Sequence, residues 1–219
     1  MNDTSLIRST RQVGAGGEHE GGATMAKVAL RWSGVALMAS AMVLGTAIAL
    51  ASLRLPGTVP PMPLGSLLLL VGSMLLMLAL PGMYAGQAEA AGWLGLVGHV
   101  LLAVGNVALI GFATAPLFNP SVTGLDKEET IAAGLLLLVL PLGLVLTAVA
   151  TLRAAVYPRW SAILLLAAGV GFLFSFFVSE DLPPIAGQLI GVSWGVSLAL
   201  ALAWIGVALL RGADQGVPY

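Results

Sequence analysis

Six long apolar runs, separated by short polar or proline-rich stretches, organise the chain. They cover about 28–53, 64–84, 91–115, 128–152, 160–178 and 185–210. Each is close to the ~20 residues that an α-helix needs to cross a bilayer. The runs are continuous apolar blocks, unlike the alternating ten-residue segments of a membrane β-barrel. The pattern predicts an all-α polytopic membrane protein, with residues 27–211 forming a six-helix transmembrane bundle.

Punctuation between the runs fits that reading. Pro56, Pro60, Pro61 and Pro63 make a stiff first loop, and Gly86-Gln87-Ala88-Glu89 reads as a tight turn after Tyr84. Pro116 stops the third run, and Pro183-Pro184 precede the sixth. Asp126, Glu128 and Glu129 open the fourth, where carboxylates suit the positive end of the helix dipole and Asp126 with Glu129 resembles a capping box. Pro141 lies inside the fourth run, removes one backbone hydrogen bond and is a candidate kink or hinge.

The ends differ in character. Residues 1–26 are polar and glycine-rich and read as a disordered tail, and residues 212–219 as a short second tail. Met25, just before the first run, is a candidate alternative start. The first run could be taken for a signal peptide because Ala47-Ile48-Ala49 ends it. A signal h-region is only ~7–15 residues, so a retained span is expected.

Composition sharpens the class. Charged residues make up 9% of the chain, against about 25% in soluble domains. A net charge of -1 gives no field that would draw in nucleic acid, and the absence of cysteine excludes disulfides and thiolate chemistry. Membrane lipids and other membrane protein subunits are the partners this surface suits.

Charge also predicts orientation. With six spans, Arg8, Arg11, Lys27, Arg31, Arg153, Arg159 and Arg211 fall on the side of both termini, and Arg54 and Lys127 on the other. The positive-inside rule then places both termini in the cytoplasm. Trp32, Tyr84, Trp93, Tyr157 and Trp160 fall at the same ends, as an aromatic belt would.

Few residues in the runs can carry chemistry. His99 is the only histidine within them, and Asn106 follows it by seven residues, near two helical turns and hence on one face. His99 has two readings: a proton relay, haem ligand or substrate contact, or a neutral imidazole bonded between helices. Asn106 and Gln188 likewise suit either a polar interior or interhelical hydrogen bonds. Gly92, Gly95 and Gly98 would let a neighbouring helix approach. Gly187, Gly191 and Gly195, continued by Ala199 and Ala203, form a small-residue ladder suited to close packing. Glu89 is placed to pair with Arg153 or Arg159. Beyond Glu128 and Glu129 at the start of the fourth, no span holds a carboxylate or lysine, and no nucleophile elbow or metal motif occurs, so no catalytic residue, metal or cofactor is expected.

The phrase from Leu80 to Glu89, followed by Gly92 to Gly98, resembles a hairpin of small uncharacterised six-span bacterial integral membrane proteins. Tyr157-Pro158-Arg159-Trp160 is similar to a second such hairpin. The resemblance covers about the middle half of the chain. It implies six helices in a bacterial plasma membrane and no known activity. The function expected is a non-enzymatic accessory or structural subunit. The alternative is binding or transport of a small neutral or lipidic molecule in a cavity near His99 and Asn106.

Overall fold

Nearly every position in the apolar runs is hydrophobic, so the buried face of each helix shows only in three dimensions. The computed structural model describes residues 5–52, 62–118, 127–178 and 183–215. Among them are six α-helices and no strand: α1 Ser5–Ser52, α2 Met62–Ala85, α3 Ala88–Phe118, α4 Lys127–Ala154, α5 Arg159–Val178 and α6 Pro184–Gln215. Five of these are long and apolar enough to cross a membrane; in α5 the apolar stretch, Arg159–Ser175, is shorter. Exposed large apolar side chains, among them Trp32, Met42, Leu78, Trp93, Leu189 and Trp204, lie on every helix or face outward along it. A soluble surface rarely shows such a continuous apolar cover.

Helix α1 begins well before the first apolar run. Residues 5–26, expected as a disordered tail, therefore carry helical backbone in continuation of Lys27–Ser52. Extending a formed helix costs less than nucleating one, even through glycines. The proposed capping pair Asp126 and Glu129 and the proline loop at 56–61 lie outside the described residues or side chains.

Buried positions along each helix follow a spacing of four then three. In α1 they are Ser33, Leu37, Ser40, Leu44 and Ala47; in α2, Ser73, Leu76, Leu80, Met83 and then Gln87 just past the helix end. In α3 the seam runs through His99, Leu102 and Asn106, and in α4 through Leu140, Leu144, Thr147 and Thr151. Ser161, Leu165 and Ala168 supply it in α5, and Leu198, Leu202, Ile205 and Leu209 in α6. This is the spacing of left-handed, knobs-into-holes packing.

The helices close into a ring in chain order. Each packs on its sequence neighbours, and α6 returns to α1; α2 and α6 touch only marginally across the middle. The α1–α6 closure is lined by small residues. A Cβ built on Gly34 would lie 2.9 Å from Gly206 O, one on Gly45 2.8 Å from Ala199 Cβ, and one on Gly195 2.5 Å from Ile48 Cγ2. The α3–α4 pair is equally tight: Gly98 lies against Thr147, Gly105 against Leu140 and Gly143 against Leu102. In lipid, such close backbone approach is a main source of helix association.

The small-residue ladder of α6 is only partly used. Gly191 meets Ser52 Oγ and Gly195 meets Ile48, whereas Gly187 has open space around it. A row of every fourth residue drifts about 40° per step around a 3.6-residue helix. The ladder is thus used at Gly191, Gly195 and Ala199, the last against Gly45, while Leu198, Leu202 and Ile205 beside it fill the core and Gly187 stays open. Pro141 is buried, and α4 continues as helix on both sides of it; its carbonyl lies 3.1 Å from the position a Gly169 Cβ would take.

Candidate functional site

The α2–α3 connection folds inward and builds the most polar part of the bundle. Gly86 N–H donates to Gly82 O and Gln87 N–H to Tyr84 O, closing α2. A single helical turn follows, with Ala91 N–H donating to Gln87 O, and then Gly92 breaks the helix at φ 56°, ψ -149°. That backbone conformation is open in practice only to glycine. The turn so formed leaves Gln87 only 2% exposed, under the ends of α3 and α4.

Gln87 sits at the middle of a hydrogen-bonded chain. Thr151 Oγ1 donates to Gln87 Oε1 at 3.0 Å, and Gln87 Nε2 lies 3.4 Å from His99 Nε2. His99 Nδ1 lies 2.8 Å from Gly95 O. A carbonyl only accepts, so Nδ1 carries the proton and Nε2 of the neutral ring accepts from Gln87. The Tyr84 ring packs on the imidazole, with centroids 5.3 Å apart. His99 is 6% exposed and both its ring nitrogens are engaged within the protein. The network ties α2, α3 and α4 together and presents no free imidazole nitrogen.

Tyr157 adds a second tie at the same end. It is buried, and its hydroxyl donates to Met83 O at 3.0 Å, joining the α4–α5 connection to α2. Trp32, Trp93 and Trp160 are exposed, as belt residues would be; Tyr157 departs from that expectation because its hydroxyl reaches a helix-terminal carbonyl needing a donor. Glu89 is exposed, and among the described residues the ion pair found at this end is Arg31 with Asp214 at 3.3 Å, not Glu89 with Arg153 or Arg159. Both partners of that pair are more than 60% exposed, so it contributes little.

Deeper in, two successive α2 carbonyls accept from opposite sides. Ser40 Oγ donates to Gly72 O at 2.9 Å, and Asn106 Nδ2 to Ser73 O at 2.8 Å. Each carbonyl has a second lone pair beyond its helical bond. Asn106 is fully buried, yet its Oδ1 has no partner; Ser73 Oγ and Thr147 Oγ1 are likewise unpaired. An unpaired buried acceptor of this kind costs roughly 1–3 kcal/mol.

Asn106 borders a cavity of about 50 Å³ at the centre of the ring, lined by all six helices, including Leu44, Leu76, Leu102, Leu144, Phe172 and Trp194. A void of this size costs on the order of 1 kcal/mol in lost packing. His99 and Gln188 do not line it; Gln188 is half-buried on α6. The three polar residues singled out in the sequence therefore occupy three places: His99 in the end network, Asn106 at the cavity, Gln188 apart from both.

Among the described residues no Asp, Glu, Lys or Arg is buried, and no three His, Asp or Glu gather as a metal would require. Gln87, Thr151 and Thr147 were not singled out in the sequence. A glutamine in a glycine-flanked turn looks solvated, and two threonines four apart are unremarkable without knowing the seam. Compared with protein-family models, curated proteins and solved structures, the chain matches none.

Proposed function

We propose that the chain is a six-span protein of the bacterial plasma membrane, both termini cytoplasmic, acting as a non-enzymatic accessory subunit of a membrane assembly. The observation that carries this reading is the apolar, closely packed interior of the described helices. Six helices close around an apolar core, His99 has both nitrogens engaged, and the void at the centre is about 50 Å³. Pockets for small molecules are commonly ~300–1,000 Å³, so a lipidic ligand or a solute path fits this interior poorly.

The span count rests on α5. Its 20 residues extend about 30 Å at ~1.5 Å each, enough for the hydrocarbon core. It also packs between α4 and α6, both of membrane length. Orientation rests on Lys27, Arg31, Arg153, Arg159 and Arg211, all exposed at the end where Trp32, Trp93 and Trp160 are exposed. The resemblance of the 80–98 hairpin to small six-span bacterial proteins supports the same membrane.

The test is genetic and biochemical together. Native mass spectrometry of the full chain in its own lipids should give one integral membrane partner at fixed stoichiometry. Deleting the gene should lower assembly of that partner, and a His99→Phe copy should restore it. A chain that remains alone, with proteoliposomes showing saturable flux of a neutral solute, would contradict the reading.

A further inference from the structure

The central cavity has an uneven chemistry. Its walls are leucines, Phe172 and Trp194, and its polar element is the fully buried Asn106 side chain. Asn106 Nδ2 is spent on Ser73 O, which leaves Oδ1 as the unpaired end of a side chain that lines the cavity. Among the lining residues Asn106 Oδ1 is the buried, unpartnered acceptor, and apart from the Trp194 indole the rest are apolar.

Three kinds of occupant can be compared. A water molecule fits by size, but a buried water usually makes about three hydrogen bonds, and this wall supplies one open acceptor. A purely apolar atom would fill the void and leave Oδ1 unpaired. A molecule with one hydroxyl donor and a one- or two-carbon apolar remainder does both tasks at once. About 50 Å³ has room for a molecule of that size and not for a drug-sized one.

We propose that the ring of six helices encloses a binding site for a single short alcohol, its hydroxyl donating to Asn106 Oδ1 and its alkyl end packed among Leu102, Leu144 and Phe172. This goes beyond the accessory role and does not depend on it.

The experiment uses the full chain in phosphatidylethanolamine–phosphatidylglycerol nanodiscs with labelled leucine methyls and asparagine amides, titrated with methanol and, separately, with xenon. Methanol should give saturable shifts at the Asn106 amide and at Leu102 and Leu144. Asn106→Leu should weaken methanol at least tenfold while leaving xenon bound. Leu69→Phe, which grows into the cavity from half-buried α2 and leaves Asn106 intact, should abolish both. Shifts that rise linearly without saturation, as for alcohol dissolved in lipid, overturn the proposal. So does saturation by xenon but not methanol, or an Asn106→Leu chain that binds methanol as well as the native one. Should Asn106→Leu fail to fold, the methanol–xenon comparison and Leu69→Phe still decide.

Discussion

Replacing Gln87 by leucine tests whether the His99 network is a coupled structural unit. Leucine fills most of the same volume, so little cavity forms. Thr151 loses its acceptor but can turn to the carbonyl of Thr147, four residues back, at small cost. His99 Nε2 has no such option and is left buried and unpaired, a penalty of about 1–3 kcal/mol in principle. Two facts pull the figure down: the lost bond is long, at 3.4 Å, and interhelical hydrogen bonds in membranes average about 0.6 kcal/mol with a maximum near 1.7. Gln87→Leu should therefore destabilise by about 1 kcal/mol. His99→Phe, which strands the Gln87 amide instead, should cost a similar amount. The double variant removes both polar groups and should be less destabilised than the sum, by about 0.6–1.7 kcal/mol. Unfolding in mixed micelles, followed by fluorescence of the five tryptophans, measures all four corners of the cycle. Additivity within about 0.3 kcal/mol would refute the network as an energetic unit.

Other consequences are local. Gly92→Ala should destabilise by about 1–3 kcal/mol because its φ of 56° with ψ -149° is closed to a side chain, although open space surrounds it; an unchanged unfolding midpoint would count against the break in α3. Ala155 holds φ 52° where its N–H donates to Thr151 O at the end of α4, so Ala155→Gly should stabilise by about 0.5–1 kcal/mol, and a loss of stability would contradict that geometry. A reporter joined after Gly212 should read cytoplasmic and one inserted at Gly124 external; reversal at either site would overturn the six-span topology.

Helix positions were legible because a run of some 20 apolar residues leaves one economical backbone in lipid, the helix. The inward placement of His99 and Asn106 was legible for a related reason: polar groups in hydrocarbon need partners. Which helix face packs was harder to read. In α1 the seam at 33, 37, 40, 44 and 47 is marked only by Ser33 and Ser40, since apolar residues fill the lipid face as well. In α6 the small-residue row meets α1 at Gly191, Gly195 and Ala199, and only its first member, Gly187, is left open. Gln87 escaped notice because its burial depends on the break at Gly92, and a glycine's positive φ cannot be seen in a residue string. Tyr157 looked like a belt residue from its position and is instead tied inward by the Met83 carbonyl, a partner 74 residues away.

A ring open between α1 and α6 would expose the interior, so closure of that seam is what an accessory bundle requires. The chain has no cysteine, so engineered pairs report cleanly. Gly45 and Ala199 face each other at mid-seam; a Cβ on Gly45 would lie 2.8 Å from that of Ala199, short of the ~3.5–4.5 Å that a disulfide spans between Cβ atoms, so the two helices must part by about 1 Å to take the bridge. Gly45→Cys with Ala199→Cys should cross-link nearly completely under mild oxidation in native membranes, while Gly45→Cys with Leu200→Cys, on the exposed face of α6, should not. No cross-link at 45–199, or equal cross-linking of both pairs, would contradict the closed ring.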